Sequence, residues 1–244
     1  MKREYGLQLY SVRDAAKESM DNALKEVAAM GYSFVEFAGF FDHSAEEIKA
    51  MLDKYGLWVS STHTSWLEVR DNFEETVKYH KTIGNKNIIV PGGDFSTKEK
   101  LDAFIDFINE FQPKLAAEGI SLGYHNHSHE FMPNNDGLYI HKELEERTNV
   151  EFQIDTYWAF AAKLDPIEVC ERLKDRIRFI HLKDGDGGHG GFSLGEGVAP
   201  VKAVREYGIK NNLIMVVESE TLTPDGLSES KRCIDFLREC DAAE

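Results

Sequence analysis

The stretch Ile177-Arg178-Phe179-Ile180-His181-Leu182-Lys183-Asp184 begins as a buried strand and ends on side chains that bind metals or move protons. Three other segments follow the same plan: Ile120 to Glu130 (ISLGYHNHSHE), Val150 to Asp155 (VEFQID) and Leu213 to Glu220 (LIMVVESE). A buried strand that stops at His, Asp or Glu places that group at the lip of a core. Four such lips from distant segments converge when their strands are parallel neighbours. A barrel of parallel strands achieves this, and its enzymes work at the C-terminal end of the strands.

Outward from these runs, short apolar segments alternate with amphipathic ones. Strands are expected at 5–10, 34–37, 57–61, 87–90, 120–124, 150–154, 177–180 and 213–217. Helices are expected at 19–30, 44–55, 72–83, 97–118, 139–147, 166–173, 201–207 and 228–240, from apolar residues spaced three and four apart. Gly31 and Gly84 read as helix stops, Ser44 with Glu47 as a capping box, and Pro113 as a kink. Eight strand–helix units of about 30 residues predict one domain over 1–244, a single (β/α)8 TIM barrel of class α/β. Three long connections, 126–138, 184–200 and 219–227, fall after strands and so on the catalytic face. The glycine-rich part, Gly185 to Gly191, reads as a mobile lid. It lacks the Lys-Ser/Thr of a phosphate-binding loop.

The chain has 244 residues, 42% hydrophobic and 29% charged, with a formal net charge of -15. That size is ample for a full core. The acidity excludes nucleic acid as the main partner, because a phosphate backbone needs a basic face. No run approaches the roughly 20 apolar residues of a membrane helix, and the N-terminus lacks a signal-peptide pattern. The three cysteines, Cys170, Cys233 and Cys240, match no zinc motif and suggest reduced thiols in a cytoplasm.

Asp155, His181 and Glu218, ending strands six, seven and eight, would be neighbours around the rim. Each alone has a structural use: an N-cap for Asp155, a paired carboxylate for Glu218. Together their N and O donors suit Mn²⁺, Mg²⁺, Co²⁺ or Zn²⁺. The cluster from His125 to Glu130 offers a fourth ligand. His125 and His127 share a strand face, and Glu130 can fold back from the loop. His63, ending strand three, is a candidate for substrate or metal contact, and Glu36 for the barrel interior or rim. Lys183 shares the side of His181 and can neutralise a developing enolate. Trp158 and Trp66 can stack on a sugar.

These motifs resemble the xylose-isomerase-like barrel superfamily, the sugar phosphate isomerases and epimerases. The likeness rests on Gly6 to Asp14 (GLQLYSVRD), Gly31 to Glu36 (GYSFVE), IRFIHLKD and Leu194 to Gly197 (LGEG). It implies one divalent ion, Mn²⁺ first, held by a Glu, an Asp, a His and a Glu from strands five to eight. The last three fall on Asp155, His181 and Glu218. His125 stands where the strand-five glutamate would be, so either His125 or Glu130 completes the set. The resemblance implies an isomerase or epimerase that moves a proton through an enediolate of a ketose or keto-sugar, phosphorylated or not. Glu218, His125, Glu130 and Lys183 would be catalytic, and His63, His127, Trp158 and Glu36 would bind substrate. A keto-sugar or keto-inositol dehydratase on the same metal site is the alternative, and an inactive sugar-binding barrel is another. A nuclease of the related endonuclease type would need a basic DNA face. Barrels of this kind often form homodimers.

Overall fold

The computed structural model describes residues 3–243. Eight parallel strands close into a barrel: β1 Gly6–Gln8, β2 Phe34–Phe37, β3 Trp58–His63, β4 Asn87–Val90, β5 Ser121–His125, β6 Glu151–Asp155, β7 Ile177–Leu182 and β8 Ile214–Val217. Closure runs through β1, which pairs with β2 and with β8 (Gly6 opposite Val216, Leu7 opposite Val217). The principal helices are α1 Met20–Met30, α2 Ala45–Tyr55, α3 Phe73–Ile83, α4 Lys98–Ala117, α5 Ile140–Arg147, α6 Pro166–Arg172, α7 Val201–Lys210 and α8 Gly226–Ala242. Outward strand residues such as Leu7, Val35, Phe152 and Ile154 pack under them and are buried. The (β/α)8 barrel expected from the strand–helix rhythm is therefore the fold.

Local chemistry explains several boundaries. Ser44 and Glu47 exchange both capping-box bonds at the start of α2. Gly31 and Gly84 end α1 and α3 with φ of 99° and 79°, a region that favours glycine. Several boundaries differ from expectation, two of them at strand ends. β1 stops at Gln8 because the Gln8 side chain accepts from the Tyr10 N–H and starts a 3-10 turn over Leu9–Val12. β3 runs on to His63, so that histidine sits within the strand. Helix α4 holds Pro113 within its length, at the position expected for a kink.

The barrel floor is filled by Phe34. A Cβ on its register partner Gly6 would lie 2.0 Å from the Phe34 ring, so only glycine fits there. Above this apolar layer the interior turns polar, with Gln8, Glu36, Ser61, Gln153, Asp155 and His181 all fully buried. That change of layer places the site.

Candidate active site

Asp155 ends β6 and also caps the short helix Thr156–Ala161. Its Oδ1 accepts from the Trp158 N–H at 2.9 Å, while Oδ2 is buried without a hydrogen-bond partner. The capping use and an open ligand position thus coexist on one carboxylate. Register sets Asp155 beside His181 on β7, and His181 beside Val216 on β8. Glu218 follows β8 directly, and its N–H donates to the Leu182 carbonyl at 3.0 Å. His181 Nδ1 lies 3.1 Å from Glu218 Oε2.

His125, Asp155, His181 and Glu218 are all buried, and one donor atom from each lies within 4.8 Å of the others. The orphaned Asp155 oxygen, together with this N₂O₂ donor set, fits a divalent ion. Of the two strand-five candidates, His125 joins the cluster. Glu130 folds back as expected, but to a separate position. It accepts from the Tyr124 hydroxyl and the His127 N–H, both at 2.8 Å, and groups with His127 and His129.

Lys183 is buried among carboxylates, 2.5 Å from Glu220 Oε1, 3.6 Å from Glu218 Oε2 and 4.0 Å from Asp155 Oδ2. Its ammonium also lies 4.5 Å from the Trp158 ring centroid. Burial opposes its charge, but Glu218, Asp155 and Glu220 raise its pKa. Burial likewise opposes the Glu218 carboxylate, yet Lys183 and His181 hold it well below the usual range. Asp155 moves the other way: burial, with Glu218 nearby, pushes it up to about 6 against the pull of Lys183. Burial would lower His181, but Glu36 and Glu218 push it up to about 10. Burial and the neighbouring histidines drive His125 well down, so it is neutral. Burial opposes a charge on His127, but Glu130 raises its pKa.

Above the cluster opens a cavity of about 480 Å³, lined by Tyr10, His63, His125, His127, Trp158, Glu218 and Glu220 among others. His63, His127 and Trp158 are therefore on its wall. Glu36 is not: it lies fully buried against His181 and His63, below the cluster. Trp66 packs instead on Phe104 and Phe107, at 5.7 and 5.4 Å between ring centroids. The glycine-rich loop is tied at its base. Asp184 accepts from the backbone N–H groups of Gly185, Gly195, Gly197 and Ala199 at 2.9–3.1 Å. Asp184–Gly185 and Gly191–Phe192 pair as a small antiparallel ribbon.

Sequence reading missed Gln8, Ser61, Gln153 and Glu220. Gln153 carried a usable signal. It stands two residues before Asp155 in one strand and so shares its face.

Known proteins resemble the chain throughout. The family model for the xylose isomerase-like TIM barrel matches residues 24–240. An inosose dehydratase of Geobacillus kaustophilus is 26% identical over 191 residues, covering 68% of this chain and 62% of that protein. A 2-oxo-tetronate isomerase of Haemophilus influenzae is 28% identical over 183 residues, covering 64% of this chain and 70% of that one. The chain thus spans less than two thirds of the length of the inosose dehydratase it matches. A solved sugar phosphate isomerase/epimerase from Parabacteroides distasonis superposes with a TM-score of 0.83 at 25% identity, over 97% of this chain and 98% of that one. On its closed eight-stranded barrel and the match over residues 24–240, the chain belongs to the xylose isomerase-like TIM barrel family.

Proposed function

We propose that the chain is a divalent-metal-dependent dehydratase of a keto-sugar or keto-polyol. The ion, Mn²⁺ in the first instance, would be held by His125, Asp155, His181 and Glu218. When bound, it supplies Lewis acidity that makes the C–H next to a ketone easier to break.

The observation that carries the reading is the pairing of unlike proton carriers on the cavity wall. Glu218 is a carboxylate kept ionised by Lys183 and His181. His127 is an imidazole whose pKa Glu130 raises. They come from β8 and from just beyond β5, three strands apart around the barrel. A base and an acid, rather than two carboxylates, suit elimination. Glu218 takes the proton from the carbon beside the ketone, and the C–H electron pair becomes the new C=C bond. The hydroxyl on the next carbon leaves with its bonding pair and takes the His127 proton, so one water is lost. Lys183 offsets the negative charge that develops, and Trp158 presents a flat apolar face to the ring. The kinship with inosose dehydratases supports the same reading.

Isomerisation or epimerisation is the second reading, and it requires His125, neutral in its buried place, to act as a base and not as a ligand of the ion. A second base on a different strand from Glu218 can return the proton to another face or carbon.

Proton NMR in D₂O, with Mn²⁺ supplied and then chelated, separates the two. Keto-inositols and ketoses should lose water and give an enone. Deuterium in a recovered ketose or its isomer, without loss of water, would establish the second reading. No change in any substrate, with sugar binding retained, would leave a binding barrel.

A further inference from the structure

Glu36 is the most heavily bonded side chain in the barrel interior. Its Oε1 accepts from Gln8 Nε2 at 2.7 Å and faces His181 Nε2 at 2.7 Å and His63 Nε2 at 3.2 Å. Its Oε2 accepts from Ser61 Oγ and from Gln153 Nε2. These partners come from β1, β3, β6 and β7, so the carboxylate cannot turn without breaking bonds on several strands. Each of these five groups can donate a hydrogen bond, and none of the five is a carboxylate.

Ringed by donors, the Glu36 carboxylate only accepts hydrogen bonds, and that fact propagates. Gln153 must turn its amide NH₂ toward Glu36, so its Oε1 faces the other way. There it lies 3.1 Å from His125 Nδ1 and 2.8 Å from His63 Nε2. An amide oxygen only accepts, so His125 must carry its proton on Nδ1, which leaves Nε2 bare when the ring is neutral. His181 must likewise donate from Nε2 to Glu36, so only Nδ1 can offer a lone pair. That nitrogen is the one turned toward Glu218.

We infer that Glu36 and Gln153 are a positioning pair that fixes which nitrogen each histidine presents to the ion: Nε2 of His125 and Nδ1 of His181. The pair touches neither cavity nor substrate, and acts through the ligands it orients. It also gives the strand-five histidine its place, because Gln153 on the neighbouring strand supplies the acceptor that a ligand imidazole needs. The inference rests on the metal reading for its second half only. The proton position on His125 is a property of the protein with or without an ion.

The test is ¹⁵N NMR of histidine-labelled protein, combined with Mn²⁺ affinity read by electron paramagnetic resonance. In chelator-treated wild type, His125 should be neutral with its proton on Nδ1. With Zn²⁺ as the diamagnetic probe, His181 should bind through Nδ1 and keep its Nε2 proton. Gln153→Met should mix the His125 tautomers and raise the Mn²⁺ dissociation constant by about 10–100-fold. Glu36→Gln should do the same through both histidines. Should Glu36→Gln fail to fold, Gln153→Met alone decides. The inference is overturned by the opposite nitrogen pattern. It is also overturned by a folded Gln153→Met protein that loses thermal stability but keeps the wild-type tautomer and affinity, the mark of a purely structural role. A wild type that takes up no ion would remove the metal reading, while the His125 tautomer would still decide the positioning role.

Discussion

Two cavities of similar size open at opposite ends of the barrel. The one at the N-terminal ends of the strands, about 420 Å³, is lined by Lys49, Asp53, Trp58, Lys86 and Arg178 among others. The one at the C-terminal ends, about 480 Å³, has Glu218, His125 and His127 on its wall. Both carry charge and an indole. They differ in where the charge sits. Lys49 and Asp53 pair one turn apart on α2 with exposed side chains, and Arg178 meets Glu151 at 3.5 Å, also in reach of water. At the other end Asp155, His181, Lys183 and Glu218 are all buried. Exposed pairs are worth little because water screens them, whereas buried charges must be matched or they destabilise the fold. Cavity volume does not identify the site; buried charge does.

Substitutions at the two ends should therefore diverge. The largest contrast is in turnover. Glu218→Gln should reduce it by about 10²–10⁴-fold, the usual worth of a general base, whereas Arg178→Gln should leave it within about twofold. Equal losses from both would end the comparison. Next comes stability. In chelator-treated protein, Lys183→Met should cost about 3–5 kcal/mol in denaturant titrations, because buried carboxylates lose their cation. Lys49→Met should cost no more than about 0.5 kcal/mol. Added Mn²⁺ should recover part of the Lys183→Met loss and none of the small Lys49→Met effect.

The ion itself gives a smaller effect of defined sign. Mn²⁺ at about 100 times its dissociation constant should add about 2.7 kcal/mol, or about 5–10 °C in thermal midpoint. Asp155→Asn should abolish that gain. In chelator-treated protein at pH 7.5 the same change should raise the midpoint, because it removes a carboxylate whose ionisation burial disfavours. A lower midpoint there would contradict the charge account.

The smallest effect separates burial from charge. His80 is buried like His181, but its partners are Thr62, Thr64 and the Thr76 carbonyl, and burial lowers its pKa. In the unfolded chain it titrates near about 6.5. Below that pH the unfolded state binds a proton that the folded state refuses, so stability falls with pH. The slope approaches about 1.4 kcal/mol per pH unit until the folded His80 titrates. His80→Gln should remove that increment from the acid side of the stability profile and change little above pH 7.5. An unchanged acid slope would show that His80 protonates equally in both states.

Much of this molecule was legible in the chain. Strand-end polarity, helical spacing and glycine stops depend on local rules, so the eight units and the Asp155, His181 and Glu218 lip follow from IRFIHLKD and its counterparts. The side of the fold on which each long loop lies followed as well. Register and layer were not legible. Nothing local tells that Glu36 lies under the buried cluster while His63, on the next strand, reaches the cavity. Nor does it tell that Glu130 turns to Tyr124 while His125 joins the cluster. Those outcomes depend on the stagger between strands, which is set only when β1 and β8 close the sheet and Phe34 drops into the space Gly6 leaves. The sequence by itself determined which groups stand at the strand ends, because alternation and burial are properties of neighbouring residues. The tertiary structure alone decided which nitrogen and which oxygen face one another, because hydrogen bonds across a barrel join residues from 28 to 145 positions apart.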